Sequence, residues 1–131
     1  MKTKARRSKG AILIPKESKV HGHELKVAAI LVTTGDDVQF LRPRATPTPD
    51  ILFQGVEWEI KSPMGSSSRT IENNLRLALK QSNNVILDLQ RIRLSEKKCL
   101  SEVNKKAKKL NAFRRLWVID KSGKLRYVVN K

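Results

Sequence analysis

Within the fifteen residues from Pro49 to Pro63, "PDILFQGVEWEIKSP", stand Asp50, Glu57, Glu59 and Lys61. Acids are scarce elsewhere, since Lys and Arg total 28 against 12 Asp and Glu and the formal net charge is +16. Alternating side chains make this stretch a β-hairpin. A two-residue turn at Gln54-Gly55 pairs Phe53 with Val56, Leu52 with Glu57, Ile51 with Trp58 and Asp50 with Glu59. Ile51, Phe53, Val56, Trp58 and Ile60 then share one face, and Asp50, Glu57, Glu59 and Lys61 the other. Like charges directly opposite each other destabilise a sheet, so Asp50 and Glu59 call for a cation between them. Lys61 supplies one charge, and a hard divalent ion held by carboxylate oxygens would supply more. The bland alternative is a solvated face with loosely paired charges, and a register slip of one residue would separate the two acids.

The elements around the hairpin decide what those residues can do. "HELKVAAILVTTG" reads as a helix with Glu24, Val27, Ala28 and Leu31 on one face and Gly35 at its end, although its β-branched residues also allow a buried strand. "DDVQFLRPR" is a short strand stopped by Pro43, and "RPRATPTP" an extended connection. "SPMGSSSRT" is a loop with helix caps at Ser66 to Ser68, which leads into the helix "TIENNLRLALKQS". "NNVILDLQ" is a central strand. Ser95 caps a last helix, "EKKCLSEVNKKAKKLN", and "FRRLWVID", "KSGK" and "KLRYVVN" close the chain as a hairpin.

The expected class is α/β, a mixed central sheet flanked by helices. Its order αβββαβ resembles a restriction-endonuclease-like core, with a C-terminal helix and hairpin added. Residues 1–20 are expected to form a flexible basic arm and residues 21–131 a single domain. Cys99 is the only cysteine, so an internal disulfide and a Cys-based zinc site are both excluded. His21 and His23 alone make a poor zinc set. No apolar run approaches a membrane span and no signal peptide is visible, which leads to the expectation of a cytoplasmic site of action. The charge points to a polyanionic partner, nucleic acid ahead of a membrane surface. Aromatics at 5% argue against a stacking single-strand binder.

Pro49-Asp50 followed by Glu59-Ile60-Lys61, in this order of elements, resembles the signature of the PD-(D/E)xK nuclease superfamily. "TPDILFQGVEWEIKSP" with "TIENNLRLALKQSNNVILDL" is similar to the C-terminal toxin nucleases of contact-dependent growth-inhibition systems, several of which cleave tRNA. The resemblance implies a metal-dependent phosphodiesterase. Asp50 and Glu59 would bind a divalent ion such as Mg²⁺, with the Ile60 carbonyl assisting, and Lys61 would orient water or stabilise charge at phosphorus. Glu24 matches an acid that the superfamily often places on the first helix, and equally suits a helix N-terminal carboxylate. Gln81 and Lys80 fall where the superfamily places substrate-binding or site-proximal residues. Arg76, Asn74 and Asn73 could contact substrate as well, while Glu57 lies outside the motif. The substrate implied is tRNA or another structured RNA. A DNA endonuclease and a non-catalytic nucleic-acid-binding protein on the same scaffold are the alternatives. A toxin would also bring an immunity protein as partner.

Overall fold

The computed structural model describes residues 8–46 and 48–131. The sheet has seven strands: β1 (Ile12–Leu13), β2 (Val38–Phe40), β3 (Ile51–Phe53), β4 (Val56–Lys61), β5 (Asn84–Asp88), β6 (Arg115–Ile119) and β7 (Leu125–Asn130). They lie side by side in chain order. β2, β3 and β4 form an antiparallel meander, β4, β5 and β6 run parallel, β1 is parallel to β2, and β7 returns antiparallel to β6. Among the described residues three α-helices complete the fold: α1 (Gly22–Leu31), α2 (Ser68–Leu79) and α3 (Glu96–Leu110). The mixed α/β class and the core order αβββαβ are as expected.

Period-two alternation in β5 and β6 divides the core into two layers. Ile86, Trp117 and Ile119 point to the layer built with Val27, Ala28 and Leu31 of α1 and with Phe40, Phe53 and Trp58. Val85, Leu87, Leu116 and Val118 point to the opposite layer, with Ile71, Leu75 and Ala78 of α2 and Cys99 and Val103 of α3. The crossovers through α2 and α3 each advance one strand in the same direction, and crossovers of one hand place both helices on one face. α1 covers the other. All five residues of β5 are buried, as a strand packed on both faces requires.

Local signals set the boundaries. Ser67 caps α2 by accepting from the Arg69 amide at 3.2 Å, and Ser95 caps α3 by accepting from the Lys98 amide at 3.2 Å. α1 passes through one 3₁₀ turn, Val32–Thr34, before Gly35 at φ 99° ends it. Tertiary burial of Val27, Ala28 and Leu31 outweighs the modest helix propensity of the β-branched residues there.

Part of the segment expected as a basic arm is described. Its first seven residues lie outside the described residues, but the Gly10 amide donates to the Val32 carbonyl at 2.8 Å and Ile12–Leu13 joins the sheet as β1. Gly10 is required at that entry because a Cβ there would collide with the Asp36 carbonyl. The strand was hidden by its length and by a partner far along the chain.

Candidate active site

The hairpin forms in the expected register, with Ile51 opposite Trp58, Leu52 opposite Glu57 and Phe53 opposite Val56. Gln54 and Gly55, at φ 56° and 74°, make the left-handed two-residue turn that matches strand twist. The apolar face is buried at Ile51, Phe53, Trp58 and Ile60.

Asp50 and Glu59 meet through their side chains, which share a hydrogen bond, but not through regular ladder pairing. The ladder ends at Ile51. The Asp50 amide donates to the Trp58 carbonyl at 2.8 Å, and the Asp50 carboxylate accepts from the Ile60 amide at 2.8 Å. The side chain thus takes over a ladder position that backbone would normally fill, and this fixes its carboxylate against β4. The two acids still feel each other. Burial first, and then the charge of Asp50, push the Glu59 carboxyl up to about 7. Burial also raises Asp50, with the charge of Glu24 adding to it, against the Ile60 amide that favours the ionised form.

Glu59 is only 5% exposed, so the solvated-face alternative does not describe it. One of its oxygens, Oε2, meets the Lys61 ammonium at 3.1 Å. The other, Oε1, is buried and receives no N–H or hydroxyl from the rest of the chain, while the Glu59–Asp50 hydrogen bond needs a proton on one of the two acids. An orphaned, buried carboxylate oxygen is costly, and a functional group that would complete it is one physical reason for it to persist. Glu57 differs: it is partly exposed and pairs with Arg44 at 3.1 Å.

Glu24 serves the helix and faces the site. Its Oε1 accepts from the His21 amide at 2.9 Å, the capping role. It also lines, with Asp50, a cavity of about 470 Å³ to which Lys19, Arg42 and Arg44 contribute. Of the remaining expected residues, Arg76 and Lys80 line a different cavity with Asn73 and Leu77, and Arg76 is held by Glu72 at 2.7 Å. Asn74 donates its side-chain amide to the Thr70 carbonyl at 2.8 Å. The Gln81 side-chain amide oxygen, Oε1, is buried without a partner. It lies next in the chain to Ser82, whose hydroxyl ties the end of α2 to the Glu57 carbonyl at 3.0 Å. The geometry therefore gathers Asp50, Glu59, Lys61 and Glu24, and leaves Arg76 and Lys80 on a separate surface.

Sequence reasoning passed over Asp88, at the end of β5. It is buried and accepts from the Ser62 hydroxyl and the Gln90 amide, each at 3.0 Å. Since Lys61 lies opposite Leu87 in the parallel ladder, Asp88 steadies the chain just beyond the catalytic lysine candidate. The available signal was an acid ending an otherwise apolar strand.

Among the described residues no group of three or more His, Cys, Asp or Glu is poised to hold a metal ion. Two carboxylates are present, however, and Mg²⁺ is commonly held by one or two carboxylates together with water and substrate phosphate. The raised Asp50 and Glu59 and the orphaned Glu59 oxygen fit such an ion. Among the described residues no helix is long and apolar enough to cross a membrane.

The chain is similar in fold to a chain of the "CdiA-CT/CdiI toxin and immunity complex from Burkholderia pseudomallei", with a TM-score of 0.67, 18% identity, and coverage of 90% of this chain and 98% of that one. No curated protein sequence matches. The profile of the contact-dependent growth inhibition CdiA C-terminal domain matches residues 47–125, more than half of the chain, and includes Asp50, Glu59, Lys61 and Asp88. The chain belongs to the family of contact-dependent growth inhibition CdiA C-terminal domains.

Proposed function

We propose that this domain is a metal-dependent nuclease of the PD-(D/E)xK type that hydrolyses phosphodiester bonds in tRNA or another structured RNA, and acts as a toxin. The observation that carries the reading is the pair of half-buried Asp50 and buried Glu59, with the Lys61 ammonium 3.1 Å from Glu59. Asp50 and Glu59 would hold a divalent cation, Mg²⁺ by the chemistry of the oxygen donors, with the Ile60 carbonyl as a further ligand. When bound, such an ion polarises a phosphoryl oxygen and acidifies a water molecule.

The chain's own groups do the rest. Asp50 is held in place by the Ile60 amide, so its charge is aimed before substrate arrives. Lys61 is half-buried beside Glu59, where its ammonium would steady the charge that develops on the phosphate oxygens. Glu24 presents a second acid to the same cavity while capping α1. Lys19 beside that cavity would bind a flanking phosphate, and Arg42 and Arg44 would join it by exchanging their exposed partners Glu17 and Glu57 for phosphate. The net charge of +16 suits an acidic inhibitor, and the fold's likeness to a chain of a toxin and immunity complex supports an immunity protein as partner.

The test is cleavage of pooled tRNA and of plasmid DNA, with Mg²⁺ or EDTA, by wild type, Asp50→Ala and Lys61→Ala. We expect tRNA to be cut in Mg²⁺, the reaction to stop in EDTA, and each substitution to slow it by about 10²-fold or more. Cleavage of DNA alone would transfer the reading to a DNA endonuclease. Salt-sensitive binding without cleavage of either substrate would replace it with a nucleic-acid-binding protein.

A further inference from the structure

We propose that the pocket bounded by His23 and Lys26 of α1 and by Arg91 beyond β5 is a second phosphate subsite, which holds the nucleic-acid backbone beside the bond presented to Asp50, Glu59 and Lys61. This inference rests on the nuclease reading and names how that site grips its substrate.

The pocket has a volume of about 400 Å³ and is lined by Gly22, His23, Lys26, Asp88, Gln90 and Arg91. The first turn of α1 is the wall it shares with the catalytic cavity, because Glu24 lines the one and His23 and Lys26 the other. The floor is linked to the active site through chain connectivity. Ser62, the residue after Lys61, donates to Asp88, and Asp88 in turn accepts from the Gln90 amide, so one buried carboxylate fixes both the end of β4 and the turn that carries Arg91. Asp88 is a positioning residue here, since both its oxygens are already engaged by the chain itself.

The charges are arranged for an anion. Two cations, Lys26 and Arg91, face one buried carboxylate, and neither cation forms an ion pair among the described residues. What sets these two apart from other unpaired cations is that both line one cavity, together with His23. Burial first, and then the nearby Arg91 charge, keep His23 below its ordinary value, so at neutral pH it offers a ring N–H without a charge. A planar guanidinium, an ammonium and a neutral imidazole donor suit a phosphodiester oxygen pair. A backbone crossing the first turn of α1 would place one phosphate at the carboxylates and a neighbour in this pocket.

The experiment separates this subsite from the chemistry. A nuclease-resistant 2′-O-methyl oligoribonucleotide, labelled for fluorescence anisotropy, is titrated in EDTA over a range of KCl. The proteins are wild type, Lys26→Gln, Arg91→Gln, the double variant and the control Lys98→Gln on α3, each checked by thermal melting. Losing one phosphate contact should lower the slope of log K against log salt by roughly 0.7, and losing both by about twice that. In the Mg²⁺ cleavage assay the double variant should raise KM several-fold and keep kcat. A wild-type slope in the folded double variant overturns the subsite, as does an equal loss in Lys98→Gln or failure of the oligonucleotide to bind. A reduced slope from a protein that cleaves nothing would keep the subsite and discard the nuclease reading.

Discussion

At the scale of single residues, Glu59 sets the behaviour of the site. Its folded-state pKa, about 7, lies above the ordinary carboxylate value of 4.5 because it is buried and faces Asp50. The folded protein therefore holds that proton more tightly than the unfolded chain. The stabilisation it gives is complete below about pH 4.5 and is lost as pH rises towards 7. Glu59→Gln should melt higher than wild type at pH 8 and lose that advantage by pH 5, while nuclease activity disappears. Mg²⁺ should raise the wild-type melting temperature at pH 8 and do little to the variant. Parallel melting curves for the two proteins across this range, with no response to Mg²⁺, would refute the account. The acids and the lysine were legible because strand alternation and a Gly turn place them without any tertiary information. The orphaned oxygen of Glu59 was not, since burial there depends on how α2 packs over the strand. The cluster of His23, Asp88 and Arg91 was equally hidden, being assembled from two elements far apart in the chain.

At the scale of elements, α2 and α3 are joined at their surface by one acid. Glu72 meets Arg76 at 2.7 Å, Lys106 at 3.2 Å and Lys109 at 3.3 Å, and these cations hold its carboxyl down to about 2. Its contribution is present above the ordinary pKa of 4.5 and is lost as pH falls towards 2. Urea denaturation at pH 7 and pH 3 should show wild type losing more stability on acidification than Glu72→Gln, and the difference should shrink in high salt. Equal losses would show that the cluster is ornamental. Helix and hairpin boundaries were readable from Ser67, Ser95, Gly35 and Gly55, because caps and turns act locally. β1 was not readable, since two residues before a proline carry no periodicity and their register comes from β2.

At the scale of the whole molecule, two apolar layers on either side of one sheet carry the fold. Cys99 lies in the α2–α3 layer, fully buried, and burial raises its thiol above the ordinary value. A single inert sulfur at that depth is a built-in clock. A thiol reagent can reach it only when the layer opens, so its labelling rate reads opening without any engineered residue. We expect labelling of the native protein to be slower than that of the unfolded chain by a factor that follows global stability through a urea series. Fast labelling at zero urea would instead reveal that α3 detaches on its own. A domain that must lose and regain its shape, for any reason, carries in Cys99 the means to time both events.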